Sequence, residues 1–404
     1  MAFSTITSDY IQLFAEAMSD NLPIVKATAS NMVGKLENKR AGQTAKIVIR
    51  DAGTVGSGLD ATSWDRSNRE YERTATIENK GIAVDVDTLA KVTDVVSFDS
   101  EIIEKRVGNL CNEIQKDISA KSCFTSGVVL VNAASAPVSL DDLSTLSGKL
   151  GLSEAQGEFV GFMGSMEQSS ASSGALSKFI PDPVMKEIYG RSNIGDFANV
   201  AWNRVNLPTV TIGASNALIA AASTKIASDQ VSGETLDLID ANWTAGLVLP
   251  RGTPFTVASV NGATIFGGDT GMSRVFITEA DATCTLGACS VKVQYCGLGG
   301  GKNYNATGNK LAANAVCTPL LTAGKTYRLV WAFERGNVEY DYIKQAAMPG
   351  AESLSAKSAD SKIVLDYIAG GDVLTRVGTH RIDNSYLAVG VDPCRSGLIY
   401  QATT

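Results

Sequence analysis

Seven cysteines are the side chains of this sequence best suited to metal binding or redox chemistry. Zinc sites take their cysteines from closely spaced pairs, and the sequence contains no C-x-x-C pair. The spacing therefore favours reduced thiols packed in a core, with a metal site as the lesser alternative. Four of the seven follow one another at gaps of five, seven and 21 residues: Cys284, Cys289, Cys296 and Cys317.

Only His380 could supply an imidazole base, because the sequence has one histidine. It lies in an alternating stretch that is typical of a strand. The sequence has no Gly-x-Ser-x-Gly turn to present a serine nucleophile. We therefore interpret His380 as a structural residue.

Paired carboxylates are the remaining candidates for acid–base chemistry. Asp141 and Asp142 fall at a predicted helix start, where the helix dipole favours negative charge. Asp85 and Asp87 alternate along a predicted strand, and neither pair is typical of a glycosidase dyad. The sequence thus predicts no catalytic, cofactor-binding or metal-binding residues, and no cofactor.

A glycine-rich segment at residues 297–302 resembles a phosphate-binding loop only superficially. Its first glycine, Gly297, stands one position too late for the P-loop spacing. Asn303 follows Lys302 where a serine or threonine would hold magnesium, and no helix is predicted after it. We interpret the segment as a surface loop.

Composition limits the class of protein further. A formal net charge of −7 and scattered basic residues argue against a nucleic-acid reader. No apolar run approaches the ~20 residues that span a bilayer. The N-terminal residues do not show a basic segment followed by an apolar run, the pattern of a secretory signal. We therefore expect a cytoplasmic product without a membrane segment, and 404 residues predict two or three domains.

The element around which the chain is organised is a long helix predicted over residues 99–124. Its apolar residues recur at three- and four-residue spacing, which places them in one stripe. The first turn carries Asp99, Glu101 and Glu104, where negative charge is favourable. No comparable helix is predicted elsewhere. The stripe consists of Ile103, Val107, Leu110, Cys111, Ile114 and Ile118.

Two segments before this helix are not expected to be stable alone and call for a partner surface. Residues 1–30 predict an amphipathic helix that ends at Pro23, and such a helix needs a surface of its own domain or of a neighbour. Residues 45–50 and 70–87 predict a long hairpin with a tip at residues 53–68. Because an isolated hairpin is marginally stable, we expect another subunit to support it.

After the helix the sequence predicts a section of mixed helices and strands. Residues 214–326 differ from it because they show almost no helical periodicity. Short β runs punctuated by Gly, Asn, Asp and Pro predict a small barrel or sandwich there. The mixed texture then resumes, with a soft linker predicted at residues 350–359. The β segment is therefore interpreted as an insertion.

The order of these parts resembles the major capsid proteins of tailed double-stranded-DNA bacteriophages. The resemblance is to the short-tailed branch, in which a Hong Kong 97-type core carries an inserted β-barrel. Residues 162–165 depart from the aromatic-Asn-Pro run common in that family. The segments that carry the resemblance are residues 327–333 and 338–342, residues 381–393, and residues 247–257.

The resemblance implies an α+β fold with an N-terminal arm, an extended hairpin loop, a spine helix, peripheral and axial domains, and an inserted all-β barrel. The implied divisions are the arm 1–44, the extended loop 45–86, the peripheral domain 87–128 with its spine helix 99–124, the axial domain 129–213 and 327–380, the barrel 214–326, and the closing strands 381–404.

The resemblance also implies a function without catalysis. Copies of the chain would form pentamers and hexamers of an icosahedral shell around double-stranded DNA, which the shell encloses without reading its sequence. A scaffolding protein during assembly and a portal protein at one vertex are the implied partners. The chain would be made in the host bacterial cytoplasm and end in the virion. The alternatives are an encapsulin-type nanocompartment shell and, more remotely, a carbohydrate-binding surface protein.

Overall fold

The computed structural model describes residues 2–30, 36, 39–50, 70–87, 104–132, 137–155, 157–175, 195–213, 223–265, 268–297, 306–307, 310–344, 352–360, 362–372 and 377–403. It is 21% helix and 49% strand, which confirms the α+β class. Among the described residues, no helix combines the length and apolarity that a membrane crossing requires.

The described residues form five α-helices: α1 (Ala2–Asn21), α2 (Pro23–Lys26), α3 (Glu104–Ser122), α4 (Leu140–Gly151) and α5 (Ser165–Ala175). Their strands, in chain order, are β1 (Thr44–Arg50), β2 (Glu70–Thr76), β3 (Glu78–Asp87), β4 (Val128–Asn132), β5 (Phe159–Met163), β6 (Asp196–Phe197), β7 (Val200–Arg204), β8 (Thr209–Ile212), β9 (Lys225–Ile226), β10 (Ser232–Ile239), β11 (Val248–Leu249), β12 (Pro254–Ala263), β13 (Asp269–Ile277), β14 (Ala282–Thr283), β15 (Ala288–Gly297), β16 (Ala306–Thr307), β17 (Cys317–Pro319), β18 (Lys325–Glu334), β19 (Val338–Tyr342), β20 (Glu352–Lys357), β21 (Val364–Asp372), β22 (Val377–Gly390) and β23 (Ser396–Ala402).

The chain divides into two compact units. The first comprises residues 1–47, 74–118 and 338–389, and the second comprises residues 48–73, 119–337 and 390–404. The boundaries fall inside β1, β2, α3 and β22, and at the start of β19.

The first unit is built on a five-stranded sheet. Its strand order is β19-β22-β21-β20, and β3 also pairs with β22. Helix α1 packs against β20 and β21. The apolar face of α1 is buried in the chain itself, with Ala15 and Met18 at 0% exposure. The predicted end of this helix before Pro23 is confirmed.

Several sequence predictions in this unit were wrong. Residues 70–87 form two strands rather than one hairpin arm, because Ile77 separates β2 from β3 and β3 joins β22 instead of β1. The predicted linker at residues 350–359 contains β20, whose small side chains had suggested a loop. Helix α1 has 20 residues and α3 has 19 among the described residues, so the prediction that no other helix is comparable to α3 is wrong.

Helix α3 confirms the predicted long helix from Glu104 onward, and a 3-10 turn at Cys123–Thr125 ends it. Residues 99–103 lie outside the described residues. The part of the predicted stripe whose side chains are described is buried. Its members are Leu110, Cys111, Ile114 and Ile118.

The second unit is built on a mixed sheet in the order β4-β23-β18-β5-β7-β6, with β8 also pairing with β18. Strand β4 runs parallel to β23, and β5 runs parallel to β7. Helix α4 packs on β4 and β23. Its start is fixed by a capping box, in which the Ser139 main-chain N–H donates to Asp142 Oδ2 (2.8 Å) and the Asp142 N–H to Ser139 Oγ (3.3 Å).

Strands β8 and β18 are the two ends of a long excursion of the chain. They pair in antiparallel register from Ile212 and Lys325 to Thr209 and Arg328. The segment between them therefore leaves and re-enters the sheet at neighbouring strands. It contains β9 to β17 and has its own apolar core, which includes Trp243, Phe255 and Phe276.

The strands of this excursion follow one another in a ring, which we call the β ring (residues 224–321). Pairing runs β9-β10-β15, then by a bridge between Val293 and Thr278 to β13, and onward to β12 and β17. A bridge between Val316 and Lys225 returns to β9. The predicted all-β texture of residues 214–326 is confirmed for the described residues.

Candidate functional site

All seven cysteines are buried, and none of them forms a disulfide bond. Burial raises the pKa of Cys111, Cys289 and Cys317 to about 12 each. Over the described part of the chain, no group of three or more His, Cys, Asp and Glu side chains converges to hold a metal.

Two of the other chemistry-bearing residues lie on neighbouring strands. The backbone of His380 lies in β22, opposite Ala369 and Val84, and Asp85 is in the paired strand β3. The side chains of both lie outside the described part of the chain. Asp142 serves the helix cap. Residues 298–305, which include most of the glycine-rich segment, lie outside the described residues. Among the described residues, three surfaces are candidates for function.

The first candidate surface is the two-stranded sheet of β1 and β2, which we call the ribbon. Among the described residues its strands pair only with each other. Hydrogen bonds from Gly42 N to Ile77 O and from Ile77 N to Gln43 O, both 2.9 Å, close the ribbon at its root. The intervening residues 51–69, including the predicted tip, lie outside the described residues.

The ribbon has one buried face and one exposed face. This alternation is the signature of a strand pair that rests on a surface with one side only. The described part of the hairpin therefore finds support in its own chain, contrary to the sequence expectation, and its other face is exposed. The buried side chains are Ala45, Ile47, Arg73 and Ala75, and the exposed ones are Lys46, Val48, Glu72 and Thr74.

The second candidate surface was the N-terminal arm, and the structure places residues 11–29 on the first unit. Lys362 Nζ donates to the main-chain carbonyls of Val25 (3.1 Å), Lys26 (3.1 Å) and Thr28 (2.8 Å). Ala29 forms a bridge with Glu339. Of the two supports that the sequence left open, the helix uses its own domain. Residues 31–35 lie outside the described residues.

The third candidate surface is one end of the β ring. Its residues are joined by hydrogen bonds such as Gly287 N to Trp243 O (3.0 Å) and Cys284 N to Leu247 O (2.7 Å). Leu286 projects from it with 81% of its surface exposed. We call this end the uncharged surface. Its exposed residues carry no charge, although the exposed Asp281 borders them on the same side of the strand as Thr283 and Thr285: they are Ala241, Asn242, Thr244, Ala245, Gly246, Val248, Thr283, Thr285 and Leu286.

Sequence reasoning missed Arg73, the buried charged residue of the ribbon. A positively charged residue at the buried position of an alternating strand was the available signal. The hairpin prediction took 70–87 as one arm and assigned no inward face near Arg73.

Comparison with known proteins gives matches among solved structures only. No protein-family model and no curated protein matches the chain. The capsid structure of the cyanophage P-SCSP1u is 9% identical, with 93% of this chain and 86% of that chain covered and a TM-score of 0.43. The capsid asymmetric unit of the cyanophage Pam1 is 11% identical, with 92% and 88% covered and a TM-score of 0.41.

A third match is the procapsid of satellite phage P4 that includes the size determination (Sid) protein. It is 8% identical, with 96% of this chain and 90% of that chain covered and a TM-score of 0.39. The chain is thus similar, over more than nine-tenths of its length, to chains from several bacteriophage capsids.

Proposed function

We propose that the protein is a major capsid protein, which self-assembles into an icosahedral shell around the double-stranded DNA of a bacteriophage. The observation that carries this proposal is the order of the parts. A helical N-terminal segment, a ribbon, a long helix and a mixed sheet follow one another, and an all-β excursion interrupts the sheet between two paired strands. This is the order that the family resemblance implies.

The parts then take the following roles. The ribbon, with residues 51–69 between its strands, is the extended loop. Its second strand ends at residue 76, whereas the resemblance implied an extended loop that ends at residue 86. Helix α3 is the spine of the peripheral domain. The β ring is the inserted barrel, and the sheet around β18 belongs to the axial domain. The closing strands are β23 and the last part of β22.

The geometry favours many weak contacts over one strong one. The exposed ribbon face and the uncharged surface are both small, but a closed shell repeats each contact many times. The net charge of −7 suits a wall that encloses DNA without adhering to it. A scaffolding protein, a portal protein, synthesis in the bacterial cytoplasm and the absence of catalysis are parts of the same proposal.

The experiment is electron microscopy and sedimentation of the purified protein, alone and with the scaffolding protein encoded beside it. We expect closed shells or polyheads. A protein that stays monomeric in every assembly condition contradicts the proposal. A shell that carries an enzyme cargo, and whose gene has no portal or terminase gene beside it, points to the nanocompartment alternative instead.

A further inference from the structure

Arg73 is a buried cation in the middle of the ribbon strand β2. It lies in β2, and the residue is only 3% exposed. It occupies the same buried face as Ala75. Burying a charged side chain is costly unless it is paired and hydrogen-bonded. The surroundings of Arg73 must therefore supply that compensation.

The guanidinium reaches four separate segments of the second unit. Its Nε donates to Glu234 Oε1 (3.2 Å) in β10, and its Nη2 donates to Glu279 Oε1 (2.5 Å), two residues after β13. Its Nη1 donates to the carbonyl oxygen of Gly390 (2.5 Å) and to Thr125 Oγ1 (3.4 Å). Gly390 ends β22, and Thr125 ends the 3-10 turn after α3.

The charges of this cluster are distributed between the ribbon and the β ring. The side chains of Glu234 and Glu279 are 23% and 10% exposed, so the β ring directs two shielded carboxylates at one cation. Lys292 Nζ, at 3.9 Å from Glu279 Oε2 and half exposed, offsets part of the second negative charge. The ribbon thus contributes the cation and the ring both anions.

Because residue 73 is an arginine, the hydrogen bonds of the cluster have fixed directions. A guanidinium is a rigid, planar fork whose donors point in fixed directions, whereas a lysine ammonium is a point charge on a flexible stem. Three of its nitrogens are held at once, by side chains of the ring and by the end of β22. The backbone of β2 at residue 73 is therefore held in one orientation relative to the ring.

We infer that Arg73 is a positioning residue: it fixes the course of β2 at residue 73 by clamping this point of the ribbon to the β ring. The inference rests on the proposed function for the ribbon's part in contacts between copies. The clamp itself acts within one chain and can be tested on unassembled protein.

The test compares Arg73→Met with Arg395→Met. Arg395 also pairs with a shielded carboxylate of the second unit, Glu334 (3.0 Å), and its two ion-pair partners, Glu334 and Asp392, lie outside the ribbon. Amide hydrogen exchange of the unassembled full chain reports on peptides that cover residues 44–50 and 70–76. Since hydrogen bonds to charged groups are the stronger ones, we expect exchange in these peptides to rise about tenfold or more in Arg73→Met and to be unchanged in Arg395→Met.

Two milder variants keep the test decisive if Arg73→Met fails to fold. Arg73→Lys retains the charge without the fork, and Glu279→Gln retains an oxygen acceptor without the charge. Both should accelerate exchange in the ribbon peptides while the unfolding temperature changes less than in Arg395→Met. Unchanged ribbon exchange in both variants, or equal acceleration in Arg395→Met, overturns the inference.

Shell assembly of the same variants is measured separately by electron microscopy and sedimentation. If the wild-type chain forms shells, the Arg73 variants should form fewer closed shells and more open or irregular ones than Arg395→Met. If the wild-type chain forms none, the proposed function fails while the exchange result still decides the clamp. Accelerated exchange together with normal shells overturns the assembly part of the inference.

Discussion

At the scale of single residues, Asp240 illustrates how a buried charge is held in this chain. It is 2% exposed and accepts hydrogen bonds from Ser223 Oγ (2.8 Å), Thr224 Oγ1 (2.5 Å) and the Asn242 main-chain N–H (2.9 Å). Burial by itself would raise the pKa of this carboxyl, but the hydrogen bonds outweigh it and the pKa is lowered. Asp240 therefore fastens the start of the β ring to the turn after β10.

This lowered pKa predicts a pH dependence of stability. Because the pKa of Asp240 is lower in the folded than in the unfolded chain, its contribution is fully present above about pH 4 and is lost as the pH falls through the folded-state pKa. We expect Asp240→Asn to lower the unfolding free energy at pH 7 by about 1–3 kcal/mol and to cost less at pH 3. Urea unfolding at both pH values measures this. Asp237→Asn, at an exposed position of the same strand, is the control, and an equal cost at both pH values contradicts the prediction.

The cysteines predict a second residue-scale outcome. Since thiolates are the reactive form and burial raises the pKa of Cys123 and Cys317 to about 12, native thiols should be inert. We expect Ellman's reagent at pH 8 to modify essentially none of them in the folded protein and all seven in guanidinium chloride. A thiol that reacts within seconds in the folded protein would contradict the described burial.

At the scale of elements, the N-terminal segment depends on one lysine. Helix α2 is only four residues long, and at its end the carbonyls of Ile24 and Val25 accept the N–H groups of Ala27 (3.0 Å) and Thr28 (3.1 Å). Lys362 supplies three donors to Val25, Lys26 and Thr28, and its charge is favourable at a helix C-terminus. The lysine thereby joins the end of the arm helix to the strand layer of the first unit.

Removing this ammonium should loosen the segment without unfolding the chain. We expect Lys362→Met to lower stability by about 1–2 kcal/mol and to speed hydrogen exchange in residues 22–30. Lys357→Met, at an exposed site over the ring of Tyr342, should leave exchange in residues 22–30 unchanged. Equal exchange in the two variants would mean that the apolar face of α1 alone holds the arm.

Strong local signals, such as a helix cap or an apolar period, predicted helices and strands well. Local signals failed where the structure depends on which distant strand a strand pairs with. The Ser139 cap and the leucine period predicted α4, and the β runs of the excursion predicted most of its strands. Helix α5, rich in serine, carries almost no apolar period, so propensity gave no signal for it. Continuous alternation across Ile77 concealed that β2 and β3 belong to different sheets, because alternation does not identify a strand's partner.

The candidate site was predicted less completely than the fold. The prediction of no catalytic residues rests on the residue types present, and it stays a prediction. The clamp at Arg73 could not be predicted, because Glu234 and Glu279 approach it only after the β ring has folded and lie 161 and 206 residues away along the chain. Long-range pairs of this kind leave no periodic signal in a single sequence.

At the scale of the whole molecule, charge limits which surfaces can meet in a shell of identical copies. Each copy carries a net charge of −7, so acidic surfaces of neighbouring copies repel one another. The uncharged surface escapes this repulsion when it faces the same surface of another copy. Leu286, at 81% exposure, is its most prominent apolar side chain, and we expect it to be buried between copies in the proposed shell.

Leu286→Glu tests this expectation. Because Leu286 packs on little in one chain, the variant should keep the wild-type unfolding temperature. Burying a leucine contributes about 1.5–3 kcal/mol, so its loss should raise the protein concentration needed for shell formation about tenfold or more. Leu152→Glu, at a 51% exposed leucine that follows α4, adds the same charge outside the uncharged surface and should assemble normally. If both variants assemble equally poorly, the added charge rather than this surface governs assembly. If Leu286→Glu alone assembles as the wild type does, the β ring meets its neighbours elsewhere.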